Sequence, residues 1–445
     1  MTKTIFITSF NPFIARNILA TDVFKTLRAE KKLRIVVFVP DYKVSWFSEN
    51  LGGGNATFVA LPISSLSTQD VFFTYLGSSL VRSRTLAIHK REKLLKDGGY
   101  LRFLISWFLR AFFGGVTPLK KFIRGVDFQT IKTTRYAEYF KEYSPALVFA
   151  TDVFNNEDVH FLAAARRFKV TSVGMIRSWD NVTTKGMFRM VPDRLVVNNE
   201  IIKQEVLKHN CMSDRNVFVG GIPQYDEYVR GVRISRRDFM KRIGFDPNKK
   251  MVLFSPFGDR FFSHDWELLT ILEEVGAQIL VRLTPNDQVS LERLARTPFV
   301  YIDRPGHQFT EGNFRDAELT SDDLRWLADS LYHSDVVVAG GASIGLDAAV
   351  FDKPAIFAWF DGFGKEPYLK SARRWFDFDH VAPLLAAGGV RIARNKDELI
   401  AAVKDCLADP NRNREQRNAM LLEQAYRLDG RAGERIGRFI VSLIN

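Results

Sequence analysis

Short apolar runs rich in β-branched residues alternate along the chain with helical patterns, and this rhythm predicts parallel β–α units. The first run, Thr4–Thr8, leads through Ser9-Phe10-Asn11-Pro12 into a helical pattern from about Ile14 to Glu30. A second run, Leu33–Val39, stops at Pro40. This β–α–β opening implies a right-handed crossover. Gly52-Gly53-Gly54 and Thr57–Ala60 predict a loop and a third strand, and a long helical insertion then runs to about Tyr143. The alternation resumes at Leu147–Thr151, with a helix near Glu157–Phe168 and strands at Thr171–Ile176, Arg194–Val197 and Val217–Val219. After a polar linker at Ile234–Lys250 that carries one helix, a second series begins at Met251–Pro256. It continues at Gln278–Leu283, Val300–Ile302, Asp335–Val338, Ala355–Ala358 and Val390–Ile392. Three helical segments, 397–407, 415–426 and 432–443, end the chain. The expected architecture is therefore α/β: two Rossmann-like domains, residues 1–235 and 236–445, facing a cleft at the carboxyl ends of their sheets.

One stretch of the second domain stands out, Ser334–Phe357, SDVVVAGGASIGLDAAVFDKPAIF. A buried parallel strand that feeds a glycine turn and then a helix gathers unpaired backbone N–H groups at the positive end of a helix dipole, where a diphosphate binds well. Ser343 adds a hydroxyl donor. An ordinary strand–turn–helix connection has the same outline, so the motif alone leaves both readings open.

Composition narrows the class. At 445 residues the chain can bury more than one core, and 46% apolar content with mixed charge excludes wholesale disorder. Cys211 and Cys406 lie far apart and match no metal spacing, which suits a reduced cytoplasmic setting. No apolar run reaches the roughly 18 residues of a membrane span, and the start does not read as a signal peptide.

The net charge of +12 is concentrated. Between Arg82 and Arg124 there are eleven Lys or Arg against Glu92 and Asp97, in the same insertion, near residues 80–125, that holds Leu101, Phe103, Leu104, Ile105, Trp107, Phe108, Phe112 and Phe113. A greasy aromatic helix flanked by cations fits the headgroup region of an anionic bilayer. It also fits a core helix with a basic rim. Nucleic-acid binding is the weakest reading, because the aromatics form continuous apolar sequence and do not interleave with the cations.

Three stretches carry a resemblance to a known family: RSWDNVTTKG at Arg177–Gly186, the run from VPDRLVVNNE to VGGIPQYDEY, and the late glycine turn. With two β–α domains, they resemble the GT-B glycosyltransferase superfamily, of the bacterial surface-polysaccharide type, and more distantly the CDP-glycerol glycerophosphotransferases. The family often carries Arg-Pro-His-Pro after the second strand of the C-terminal domain, where this chain has Arg282-Leu283-Thr284-Pro285. The resemblance implies a nucleotide-sugar donor, a substrate and not a cofactor, bound mainly by the C-terminal domain. A glycan or lipid-linked acceptor would lie on the N-terminal side.

On that view Gly340, Gly341, Ala342 and Ser343 meet the donor diphosphate without a metal. Asp347 reaches a ribose hydroxyl or is a solvated helix carboxylate. Arg282 neutralises a phosphate or forms an ion pair. Ser255 lines the cleft at a strand end, and Arg304 and His307 border the base or sit on an exposed loop. On the acceptor side, the ring of Trp179 suits a sugar face. Asp180 is the first candidate for general base, beside Asn181 and Lys185. Asp152 is the rival base, Asn11 faces the same cleft or forms a turn, and His160 is read as packing. Asp377-Phe378-Asp379 is read as a turn and not a metal pair, so no essential metal is expected.

The leading expectation is a metal-independent glycosyltransferase of bacterial surface-polysaccharide (lipopolysaccharide-type) synthesis. It would be cytoplasmic and peripheral on the inner face of the membrane, held by the basic aromatic segment. A glycerophosphotransferase or a nucleotide-sugar 2-epimerase on the same fold, or a non-catalytic scaffold, is the alternative.

Overall fold

The computed structural model describes the chain except residues 1, 64, 286–288, 290–296, 312, 314, 315, 342 and 445. It divides into two compact units, residues 1–224 with 431–445, and residues 225–430.

In unit 1 the strands are β1 (Lys3–Thr8), β2 (Leu33–Pro40), β3 (Ala56–Leu61), β4 (Pro145–Ala150), β5 (Thr171–Met175), β6 (Arg194–Val197) and β7 (Val217–Val219). They form one parallel sheet in the order β3-β2-β1-β4-β5-β6-β7. Helices cover both faces. Ile5, Phe6, Ile7, Val36, Val37, Val148 and Phe149 are consequently all fully buried, which is why these strands read as continuous apolar runs and not as alternation.

Unit 2 repeats the design with β8 (Met251–Ser255), β9 (Gln278–Arg282), β10 (Val300–Asp303), β11 (Val336–Ala339), β12 (Ala355–Ala358) and β13 (Val390–Ala393). Their order is β10-β9-β8-β11-β12-β13, again parallel. The doubly wound α/β class expected from the sequence is what the chain adopts.

Three features depart from the sequence expectation. The first helical pattern breaks into a π-helical turn, Ala15–Leu19, and a helix, Asp22–Ala29. Thr21 causes the break: its hydroxyl donates to the Ile18 carbonyl and accepts from the Val23 amide, capping a new helix. The supposed linker is not a separator. The helix Arg236–Arg242 buries Phe239 against Trp326 and His333 within unit 2. The last helix, Ala432–Ser442, belongs to unit 1, because Ile436 and Ile440 enter the core of the first sheet and Phe439 stacks on Phe218 at 4.1 Å.

The insertion of unit 1 is a set of helices, Thr68–Ser79, Arg84–Asp97, Tyr100–Phe108, Thr117–Thr130 and Thr134–Tyr143. Among the described residues no helix is long and apolar enough to cross a membrane. Two of the eleven cations counted as its basic face are internal. Lys120 Nζ donates to the His209 carbonyl at 3.0 Å, and Arg124 donates to the carbonyls of Phe188 and Asn210 at 2.7 and 3.0 Å. They satisfy backbone carbonyls inside the fold and leave the exposed charge to residues such as Arg91, Lys93, Lys96, Arg102 and Lys121.

Candidate functional sites of the two units

In an open parallel sheet, ligands collect beyond the carboxyl ends of the strands where the strand order reverses. In unit 1 that point lies between β1 and β4. Thr8 ends β1, and its hydroxyl donates to Asp158 Oδ1 at 2.5 Å. Asp152 follows β4 and is buried, with Arg177 Nε at 3.1 Å and Lys185 Nζ at 3.5 Å from Oδ2. Its amide donates to Asp158 Oδ1 at 3.0 Å, and its own Oδ1 accepts from the Phe154 amide at 3.2 Å.

The two carboxyls titrate in opposite directions. Burial would raise Asp152, but the cations Lys185 and Arg177 and the Phe154 N–H outweigh it and hold the group below its ordinary value. Burial, and then the charge of Asp152, push Asp158 up to about 8. Asp158 is thus protonated at neutral pH, and its Oδ2 is buried without a partner. Asp158→Asn tests this. An unfolded Asp ionises near about 3.9, so between there and about 8 the unfolded chain has released a proton that the folded chain still holds. This group therefore lowers stability as pH rises through that window. The melting temperature of Asp158→Asn should gain on wild type from pH ~5 to pH ~8. A difference that stays constant with pH would reject the protonated carboxyl.

The Trp-Asp-Asn loop lies beyond β5. Trp179 and Asp180 are half-exposed and Asn181 is buried. The Asp180 carboxylate accepts from Ser178 Oγ, from Asn181 Nδ2 at 3.2 Å and from Thr184 Oγ1 at 3.2 Å. The side chains of its own loop therefore hold it at the start of the short helix Asn181–Lys185. Lys185 joins this loop to Asp152. Gly186 has φ +98°, and an added Cβ would meet the Gly77 carbonyl at 2.6 Å, so the motif's glycine lets the helix Thr68–Ser79 close onto the loop. Asn11 makes a turn, its Oδ1 accepting from the Phe13 amide at 3.2 Å. His160, read from the sequence as packing, donates from Nε2 to the Asp70 carboxylate, 3.0 Å away.

A second polar centre was not visible in the sequence. Arg189 is buried, forks onto both oxygens of Asp127 at 2.9 and 2.8 Å, and reaches Asp70 Oδ1 and Asn156 Oδ1 at 2.8 Å each. Burial opposes the charge of Asp70, but hydrogen bonds from His160, Ser67 and Arg189 hold its carboxyl well below the ordinary range. Arg189 thereby pins two insertion helices to the helix Asn156–Phe168. Thr8, Asp158 and Arg177 were likewise missed as site residues. The signal available for Thr8 was positional, at the end of a strand flanking the reversal.

In unit 2 the reversal lies between β8 and β11, which pair Ser255 with Ala339. Ser255 therefore ends beside the Gly340-Gly341 turn. The loop after β8 is fixed by Asp265, whose two oxygens accept from the amides of Phe257 and Gly258 at 2.9 and 2.8 Å. A Cβ on Gly340 would meet the Phe257 ring at 2.0 Å. Gly341 has φ +59°, and among the described residues an added Cβ would come nearest to Phe376 and Trp375, at 3.9 and 4.0 Å. Ser343 is exposed at the start of the short helix Ile344–Val350, and Asp347 is half-exposed on it. Ala342 lies outside the described residues.

Arg282 is buried and pairs with Asp303, its register partner on β10, with a further contact to the Asp323 carbonyl at 3.4 Å. The ion pair is buried in the sheet and not on the surface. Arg304 follows β10, and burial lowers its pKa. His307 is exposed, pairs its backbone with Glu318 and sets its ring edge on Phe309. Asp377 accepts from the Tyr368 hydroxyl at the end of a 3-10 helix, as a turn residue would.

Two parallel-sheet units of this kind define the GT-B class. The family model described as "CDP-Glycerol:Poly(glycerophosphate) glycerophosphotransferase" matches residues 188–442, more than half of the chain, and the chain belongs to that family. It is a transferase. No curated protein matches it. Among solved structures it is similar to MnaA of S. aureus in complex with UDP, at 15% identity and a TM-score of 0.55, over 99% of this chain and 97% of that one. It is also similar to the UDP-GlcNAc 2-epimerase of Neisseria meningitidis bound to UDP-GlcNAc, at 12% and 0.58, over 99% and 100%. The wall teichoic acid polymerase TagF soaked with CDPG is similar at 11% and 0.52, over 100% and 89%. At these identities the likeness concerns the fold.

Proposed function

We propose that the chain transfers a nucleotide-activated unit, a sugar or a glycerophosphate, to a lipid-linked glycan or polymer acceptor in the assembly of a bacterial surface polymer. Family membership over residues 188–442 carries this reading. Unit 2 is assigned the donor, with Ser255 and the backbone N–H groups of Gly340, Gly341 and Ser343 at the diphosphate, where hydrogen bonds stabilise the leaving group. Asp347, Arg304 and His307 border the nucleoside, and Arg282 shapes the floor through Asp303.

Unit 1 is assigned the acceptor, with Trp179, Asn181, Lys185 and Asn11 around it. Asp180 is the base. It is half-exposed, whereas Asp152 is buried between Arg177 and Lys185 and acts by positioning Lys185. In glycosyl transfer the acceptor oxygen bonds to the anomeric carbon, and the carbon–oxygen bond to the diphosphate breaks. The nucleoside diphosphate leaves with the electron pair, and Asp180 takes the hydroxyl proton. In glycerophosphate transfer the same oxygen attacks the phosphorus that bears glycerol, and the nucleoside monophosphate leaves. Similarity to TagF, whose structure was soaked with CDPG, favours this second form. The enzyme works at an anionic membrane surface on the cytoplasmic side, seated through the exposed cations and aromatics of the insertion.

A thermal-shift panel of UDP-, GDP- and CMP-sugars and CDP-glycerol tests the reading. One donor should stabilise the protein and be turned over. Asp180→Ala should lower turnover by about 100-fold or more, the usual worth of a general base, with donor stabilisation retained. Absence of stabilisation by any donor would overturn the assignment, and turnover lost in Asp152→Ala but kept in Asp180→Ala would exchange the two carboxylates.

A further inference from the structure

Within unit 1 the insertion encloses a pocket of about 480 Å³ between the helices Thr68–Ser79, Arg84–Asp97 and Tyr100–Phe108. One part of its wall is apolar, from Leu66, Val71, Leu94 and Phe103. The other part is cationic, from Lys90, Lys93 and Arg102 against a single lining carboxylate, Asp97, which lies 3.9 Å from Lys93. Lys90 Nζ is held in place by Ser78 Oγ at 2.7 Å and Ser79 Oγ at 3.4 Å, 4.3 Å from the centre of the Tyr75 ring. The Arg102 guanidinium lies 4.7 Å from the same ring, and the Tyr75 hydroxyl donates to the Arg102 carbonyl. Lys90 is therefore placed by the fold, with Arg102 set against the same ring and Lys93 at the exposed rim.

Neither half of the wall explains the other. An apolar ligand would leave Lys90 and Arg102 facing no anion, and a small hydrated anion would gain nothing from the leucine and phenylalanine faces. The surface beyond the pocket extends the apolar half: Tyr100 and Leu101 are 72% and 73% exposed, and Leu104, Trp107 and Phe108 are exposed beside them. Asn156 also lines the pocket. It begins the helix that follows Asp152 and bonds to Arg189, so the pocket adjoins the acceptor side of unit 1.

We propose that this pocket binds the phosphate of a membrane-borne phosphate ester, with Lys90 and Arg102 on the phosphate oxygens and the hydrocarbon chain leaving over Leu101, Leu104 and Phe108. The inference rests on the proposed membrane seat and names the lipid that the acceptor side engages. The charge on Lys90 fits it. Burial first, then Arg102, Lys93 and Arg110, lower its ammonium to about 8, and a phosphate in the pocket would offset that repulsion.

The test uses the full chain and three probes in calorimetry: farnesyl monophosphate, farnesol and inorganic phosphate. Farnesyl monophosphate should bind, with the other two weaker by roughly tenfold or more, since each supplies only one half of the contact. Lys90→Met/Arg102→Met should weaken farnesyl monophosphate by at least roughly tenfold, the loss expected for charge-assisted hydrogen bonds. Arg102→Met alone, on an exposed side chain, should move affinity in the same direction. Unchanged affinity in both variants, or inorganic phosphate bound as tightly as the ester, would overturn the proposal. Flotation with phosphatidylglycerol vesicles reads the membrane seat separately. Farnesyl monophosphate binding with no flotation upholds the pocket and rejects the seat, and flotation without farnesyl monophosphate binding rejects the pocket alone.

Discussion

Arg189→Met is expected to lower the unfolding free energy at neutral pH by about 3–5 kcal/mol, the range for removing one partner from a buried ion pair. Methionine keeps most of the volume, so the loss reports charge and not a cavity. Four hydrogen bonds disappear together, two to Asp127 and one each to Asp70 and Asn156, leaving the buried carboxylate of Asp70 to His160 and Ser67 and that of Asp127 without the fork that held it. The pH dependence fixes the cause. In wild type the carboxyl of Asp70 is held well below its ordinary value, so its share of stability is present above the unfolded value of about 3.9 and is lost as pH falls through the folded one. Without the guanidinium, burial favours the protonated carboxyl. The deficit of the variant should therefore be full at neutral pH and shrink toward pH ~4. Chemical denaturation at two pH values measures it. A loss under about 1 kcal/mol, within the range of an exposed pair, would show that Arg189 does not hold the insertion in place.

That centre also shows where the sequence could and could not be read. The strands were legible because a sheet covered on both faces needs unbroken apolar residues, and Val336-Val337-Val338 or Ile5-Phe6-Ile7 can hardly be anything else. The parallel pairing of the strands followed from the β–α rhythm, whereas the strand order, with its reversals between β1 and β4 and between β8 and β11, comes from the fold. The insertion was opaque for the opposite reason. Its helices are tied down by polar contacts between residues far apart in sequence: Arg189 with Asp127 and Asp70, 62 and 119 positions away, and Lys120 with the carbonyl of His209, 89 positions away. Nothing in the spelling of Lys120 or Arg124 separates a buried cation from one of the exposed cations in the same segment. The return of the last helix to unit 1 was hidden likewise, since an amphipathic helix declares that it has a buried face without saying against what. Among the candidate residues, the loop 177–186 was found as a motif, yet its bond to Asp152 through Lys185 and its docking on Gly77 come only from the fold.

Gly340→Ala is expected to destabilise unit 2 at the strand ends. The new Cβ would stand 2.0 Å from the Phe257 ring, far inside contact distance. The ring cannot withdraw with its backbone, because Asp265 holds the amides of Phe257 and Gly258. Overpacking of this kind costs about 1–3 kcal/mol, and the displaced ring disturbs the strand ends at Ser255 and Ala339 together. Phe257→Ala should restore much of the stability of Gly340→Ala, giving a coupling of at least about 0.5 kcal/mol in a double-mutant cycle, as neighbours in contact do. Gly341→Ala is the control: its added Cβ finds nothing closer than 3.9 Å among the described residues, so its cost is the left-handed backbone, of order 1–2 kcal/mol, and no rescue by Phe257→Ala is expected. Donor binding then separates the two roles of the turn. If its N–H groups carry the diphosphate, donor affinity falls in Gly340→Ala and does not recover fully when Phe257→Ala repairs the packing, because the emptied ring space leaves the turn unsupported. If Gly340→Ala loses stability but binds the donor as wild type does, Gly340 serves the Phe257 contact only, and the diphosphate must be sought elsewhere in unit 2.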